Sequence, residues 1–185
     1  MSELASHGQL RASFLRAALV TVPGTLLLGF LSASLSGSAA DSAWFQDLVK
    51  PSLYPPPATF GIVWPVLYAM MGLATAIVIT AFGARWRGVA LVAFAVQLLL
   101  NLAWSPLFFA AHQLTWALIL LVAIDIAVLI TLVLYWRVRR SAGLLLLPYL
   151  AWVLFATVLN WQFLAANPDA DGKPYQAQPV TRIEI

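Results

Sequence analysis

Gln97, Asn101, Trp104, Ser105, Pro106, Phe108 and Phe109 crowd into thirteen residues of an apolar run that extends from about 89 to 111. A run of that length can cross a bilayer as a helix. Side-chain amides inside lipid cost free energy unless they are hydrogen-bonded. Gln97, Asn101 and Ser105 recur at i, i+4 and i+8, so a helix carries them along one face. Pro106 supplies no backbone donor, which frees the carbonyl of Leu102 and predicts a kink; Ser105 stands where it can help satisfy that carbonyl. The chemistry on offer is recognition: fixed amides beside broad rings.

Two further runs carry matching groups. Trp64 and Tyr68 lie at i and i+4 early in one run. Tyr149, Trp152, Ala156 and Asn160 follow a helical face after Pro148 in another. Rings from three helices and amides from two, if they converge, form a flat apolar slot with a few polar anchors, the usual character of a small-molecule site. Planar ligands stack well on such rings. Each residue also has a plainer use. Gln97 and Asn101 could bond a neighbouring helix, worth about a kcal/mol in a membrane. Trp86, Trp116 and Trp136 sit at run ends and are assigned to the interfacial belt. Asp125 is the one acid inside a run, a functional position by default in a membrane. With no basic partner in any run, it is read as a neutral carboxyl hydrogen-bonded to a polar neighbour.

Composition excludes much else. Of 185 residues, 62% are hydrophobic and 9% charged, which places the chain in the membrane class. There is no cysteine, so disulfides, thiolate metal sites and thiol nucleophiles are out. His7 and His112 are the only histidines and neither lies deep in a run, so a His-ligated haem and a metal site are not expected. No Gly-rich phosphate loop or Ser/His/Asp set is present. The basic residues fall at run ends rather than in a nucleic-acid patch, and the two halves do not repeat as in many secondary transporters.

The elements that must position these groups are five apolar segments, at about 17–36, 60–82, 89–111, 116–136 and 143–166. They predict an all-α membrane protein, a five-helix bundle over 17–166, preceded by a segment 1–16 and followed by a polar, mobile tail 167–185. Arg11, Arg16, Arg85, Arg87, Arg137, Arg139 and Arg140 fall on one side of the spans, and Lys50, Lys173 and Arg182 on the other. The positive-inside rule then puts the N-terminus in the cytoplasm and the C-terminus outside. Arg16, an apolar run and then Ser36-Gly37-Ser38-Ala39-Ala40 also fit a cleavable secretory leader. Against that, Thr21, Thr25, Gly29, Ala33 and Gly37 form a small-residue stripe at strict i+4 spacing, which lets another helix approach closely. That stripe favours a retained helix, packed within its own bundle in the simpler reading. Between the first two segments, Pro51, Pro55, Pro56 and Pro57 stiffen a loop that also holds Trp44, Lys50 and Tyr54. It could close the bundle as a lid or anchor at headgroup depth.

At these residues the chain resembles the tryptophan-rich sensory protein/translocator protein family, TspO/MBR. The resemblance rests on Trp44-Phe45 with Leu48, Lys50-Pro51 and Pro55-Pro56. It continues with Trp64 and Tyr68, then Gln97, Asn101, Trp104-Ser105-Pro106 and Phe108-Phe109, then Asp125. It ends on Pro148-Tyr149, Trp152, Phe155-Ala156-Thr157 and Leu159-Asn160. Together these cover about residues 15–167. The resemblance implies a five-helix bundle, often a homodimer, that binds porphyrins such as protoporphyrin IX or haem, and other hydrophobic ligands, beneath the first loop. No cofactor is required. Trp44, Trp64, Asn101, Trp104 and Trp152 would line the pocket with Ala156 on its wall, and Tyr68 belongs with them from its spacing. The implied role is a receptor or sensor in tetrapyrrole regulation or stress. Alternatives are light-dependent porphyrin breakdown, with Trp64 and Trp152 as the reacting aromatics, and transport of porphyrins or lipids. A bacterial inner membrane is expected, although some relatives occupy outer membranes. Two departures stand out. Ser52-Leu53 replace the aromatic that usually follows Lys-Pro, leaving Tyr54 as the substitute. The basic residue of a cholesterol motif is missing after Trp161, so sterols are not the expected ligand.

Overall fold

A capping box begins the first helix before the apolar run does. Ser6 Oγ accepts from the Gln9 amide, and the Gln9 side chain accepts from the Ser6 amide at 2.8 Å. In the computed structural model, which describes residues 6–37 and 42–173, α1 therefore runs His7–Leu35. A short α2 (Ala43–Asp47) follows, N-capped by Ser42. Next come α3 (Pro57–Ile79), started by Pro57 at its first position, and α4 (Arg87–Ser105), which continues into a π-helical turn (Pro106–Ala110). α5 (Leu114–Val138) and α6 (Arg140–Ala166) complete the bundle, and a 3₁₀ turn (Pro168–Ala170) is the last described element. Five of these helices are long and apolar enough to cross a membrane, as the hydrophobic pattern predicts. Ser38, Ala39 and Ala40 of the leader-like stretch, and the tail beyond Lys173, lie outside the described residues.

Neighbours in the bundle follow the order α1, α3, α6, α5, α4, with α4 returning more lightly to α1 and α3. The small-residue stripe of α1 faces α3. Thr21 Oγ1 donates to the Gly72 carbonyl at 2.7 Å, and Thr25 Oγ1 donates to the Tyr68 carbonyl at 2.8 Å. The two backbones touch here: a Cβ on Gly72 would stand 2.6 Å from Val22 Cα. This is the intramolecular use of the stripe, and it makes α1 an integral wall of the bundle.

The half of the bundle nearer the α3–α4 and α5–α6 connections is filled. Met71, Ala74 and Val78 of α3, Ile124 and Val128 of α5, and Ala142, Leu146 and Val153 of α6 are all buried in one core. Tyr135 is fully buried there, with its hydroxyl 3.0 Å from Thr75 Oγ1. The opposite half is held apart by larger rings and opens into a cavity.

The C-terminal segment departs from the expected loose tail in its first residues. Asn167 closes a two-way clamp on the loop before α3: Val49 N donates to Asn167 Oδ1 at 2.7 Å, and Asn167 Nδ2 donates to Val49 O at 3.0 Å. Asp171 accepts from the amide and hydroxyl of Thr115 at 3.1 and 2.6 Å, so a distant carboxylate caps α5, which has no side-chain cap of its own. Orphan donors at a helix start and an unpaired strap need these partners, and polar residues just past α6 are in reach of both.

The α1–α3 contact gives a direct test. Gly72→Ala forces a methyl into backbone and is expected to lower the melting temperature in detergent by roughly 3–10 °C. Gly24→Ala, where a Cβ would meet nothing within 4 Å, should leave it unchanged. Equal melting temperatures for the two variants would contradict the packing described.

Candidate functional site: an aromatic cavity under the proline strap

Pro106 sets the geometry of one wall. Its missing N–H leaves the Leu102 carbonyl without a helical donor. The partner is Ser32 of α1, whose Oγ donates to Leu102 O at 2.6 Å, and not Ser105 as the local sequence suggests. The free carbonyl thereby ties α1 to α4. Beyond it the helix widens: Ala111 N donates to Pro106 O at 2.9 Å, five residues back. The consecutive rings Phe108 and Phe109 both come to line the cavity, with centroids 4.8 Å apart.

The cavity measures about 650 Å³, within the common range for small-molecule sites of roughly 300–1,000 Å³. Helices α1, α3, α4 and α6 supply most of its wall and the strap closes its end. Of the expected residues, Trp64, Tyr68, Asn101, Trp104, Trp152 and Ala156 all line it, as do Tyr54 and Ser105. Trp64 stacks on Tyr68 at 5.5 Å and meets Trp152 edge-on at 6.5 Å; Trp104 stacks on Phe108 at 4.9 Å. Tyr68 Oη donates to Asn101 Oδ1 at 2.7 Å, which fixes ring and amide together. Gly29 makes room for that ring, since a Cβ there would lie 2.2 Å from Tyr68 Cε2.

Other expected residues stand behind the wall. Gln97 is buried and accepts from the Tyr149 hydroxyl at 3.0 Å, linking α4 to α6. Asp125 is not part of the lining; its Oδ2 accepts from the Thr157 hydroxyl at 2.8 Å, joining α5 to α6. Trp44 also lies outside the lining, stacked on His112 at 4.4 Å and edge-on to Phe108, while its neighbour Phe45 faces the cavity. Lys50 does not reach inward. Its ammonium caps α2, donating to the carbonyls of Phe45, Gln46 and Leu48. Burial of that ammonium lowers its pKa from the ordinary lysine value, opposed by the charge of Asp47. Pro51, Pro55 and Pro56 shape the strap and stay outside the lining, whereas Pro57 and Pro65 of α3 line the cavity. Tyr54 stacks on Phe60 at 5.7 Å and packs edge-on to Phe45 and Phe163, and burial raises its pKa.

Residues that sequence spacing did not single out as lining include Gly29, Phe30 and Ala33 of α1, together with Phe60 and Phe163. The small-residue stripe is the signal for the first group, because Gly29 and Ala33 continue the face that Thr21 and Thr25 turn to α3. Six shielded side-chain polar atoms lack a partner among the described residues, and three belong to the lining: Trp104 Nε1, Trp152 Nε1 and Asn160 Oδ1. Asn160 Nδ2 is engaged with the Leu114 carbonyl at 3.0 Å, so its oxygen is the free end. The lining residues thus combine ring faces with three shielded, unpartnered polar atoms, two indole N–H groups and one amide oxygen, and include no carboxylate or imidazole.

The strap depends on its clamp. Asn167→Ala removes both bonds to Val49 and is expected to speed amide exchange in residues 45–54 by roughly tenfold or more, as local opening becomes easier. Hydrogen exchange read by mass spectrometry checks this, and unchanged exchange would show that the strap holds without Asn167.

Comparison with known proteins accords with this architecture. A profile of the TspO/MBR family matches residues 20–165. The chain is 40% identical over 147 residues to the tryptophan-rich protein TspO of Chlorobaculum tepidum, covering 77% of this chain and 90% of that one. It is 41% identical over 120 residues to the translocator protein of Homo sapiens, covering 64% and 71%. It is 34% identical over 124 residues to the tryptophan-rich sensory protein of Cereibacter sphaeroides, covering 67% and 77%. With five membrane-length helices and this match across nearly the whole bundle, the chain is an integral multi-pass membrane protein that belongs to the TspO/MBR family.

Proposed function

We propose that the protein is a membrane receptor that holds porphyrin-like tetrapyrroles in the aromatic cavity, and that occupancy is what it senses or passes on. The observation that carries this reading is the pairing of flat ring faces with unpartnered polar atoms in one apolar cavity. Trp64, Trp104 and Trp152 present broad surfaces from three helices. A planar macrocycle matches them by stacking and by burying apolar area. Its peripheral carboxylates supply acceptors for the indole N–H groups, and a carboxyl group in its protonated form supplies a donor for Asn160 Oδ1. A buried donor left without a partner costs about 1–3 kcal/mol, so a ligand that satisfies it gains that much over a purely apolar one. Relatives bearing the names translocator protein and tryptophan-rich sensory protein support a sensing or translocating role. The lining brings no acid–base pair, so any chemistry on the bound pigment would have to originate in the pigment itself.

Titration of the purified protein with protoporphyrin IX, followed by tryptophan quenching, tests this. Trp64→Ala combined with Trp152→Ala should weaken binding by roughly ten- to a hundredfold. Trp116→Phe, at an exposed ring outside the cavity, should not. Equal affinity in the double variant and the unaltered protein would sink the pocket assignment.

A further inference from the structure

The end of the bundle remote from the cavity carries a different recognition surface. Arg85 in the α3–α4 connection and Arg87 at the start of α4 flank Trp86, and Arg137, Arg139 and Arg140 surround the junction of α5 and α6. The two connections meet at one indole: the Arg85 and Arg137 guanidinium carbons lie 5.4 and 5.5 Å from the Trp86 ring. Arg87 rests on Phe82 at 5.0 Å. Among the described residues none of these arginines forms an ion pair; the one ion pair there is Lys173–Asp169, at the cavity end. The sequence places only Glu3 as a negative charge on this side.

Helix ends add to the same field. α4 and α6 both begin here, and neither has a side-chain cap or an acidic residue in its first turn. α1, which begins at the same end, is capped by Ser6 and Gln9. Two helix starts with orphan N–H groups and partial positive charge therefore sit beside guanidiniums that have no carboxylate partner among the described residues. Tryptophan at the ring of contact marks headgroup depth. Guanidiniums gathered around one indole, together with positive helix ends, are complementary to a phosphate at the membrane surface, which arginine binds in bidentate fashion. We infer that Arg85, Trp86 and Arg137 form the centre of a site for the headgroup phosphate of an anionic phospholipid, separate from the ligand cavity and independent of what that cavity binds.

Native mass spectrometry of the full chain in detergent, with phosphatidylglycerol or phosphatidylcholine of identical acyl chains, tests the inference. The unaltered protein should retain phosphatidylglycerol roughly tenfold more tightly. Arg85→Gln with Arg137→Gln should abolish that preference, and Arg11→Gln with Arg16→Gln, at the same end on α1, should keep it within about twofold. Arg85 and Arg137 are exposed, so the melting temperature in neutral micelles should be unchanged. If it falls, Arg85→Lys with Arg137→Lys, which keeps the charge and loses the fork, should still reduce the preference. Equal retention of the two lipids overturns the site. So does an equal loss in the α1 variant, which would mean diffuse charge, or full displacement by millimolar inorganic phosphate, which would mean a free-anion site.

Discussion

Lipid offers no hydrogen bonds, so every polar group placed inside this bundle must find its partner in the protein or in a ligand. That constraint organises the molecule. Ser32 answers the carbonyl that Pro106 frees on Leu102, and so fixes α1 against α4. Tyr68 and Asn101 bind α3 to α4; Tyr149 and Gln97 bind α4 to α6; Thr157 and Asp125 bind α6 to α5. Each bond is modest in a membrane, about a kcal/mol. Together they prescribe which helix faces meet, which apolar packing against lipid tails specifies poorly.

The same rule separates structure from function within one stretch of α4. Gln97 is satisfied and buried in packing, whereas Trp104 keeps a free indole donor beside the cavity. Asn101 does both: it is anchored by Tyr68 and forms part of the lining. Proline acts twice in this design. In α4 it opens the helix so that Phe108 and Phe109 share a wall, and in the strap it keeps the cover stiff while Asn167 holds it in place.

Much of this was legible in the residues themselves. The spans and the convergence of Trp64, Trp104 and Trp152 follow from hydrophobic length, helical spacing and motif order. Where spacing failed, the reason is physical. The partner of the Leu102 carbonyl comes from a residue seventy positions away, and nothing in the local pattern encodes which neighbour brings a hydroxyl. Trp44 and Phe45 are adjacent, and only the set of the short α2 decides which ring turns inward. Polar residues after α6 read as a loose tail, yet Asn167 and Asp171 meet orphan groups of the strap and of α5, a match visible only once those ends are side by side.

The central claim is that unpaired indole donors mark the ligand site. Proton–nitrogen NMR of the tryptophan indoles, with and without protoporphyrin IX, tests it most directly. The account predicts that the Trp104 and Trp152 Nε1–H resonances shift strongly and exchange more slowly with solvent as they gain acceptors beside the macrocycle, with those of Trp116 and Trp136 unmoved. Ligand binding that leaves both cavity indoles unchanged, or that shifts the outer tryptophans equally, would contradict it.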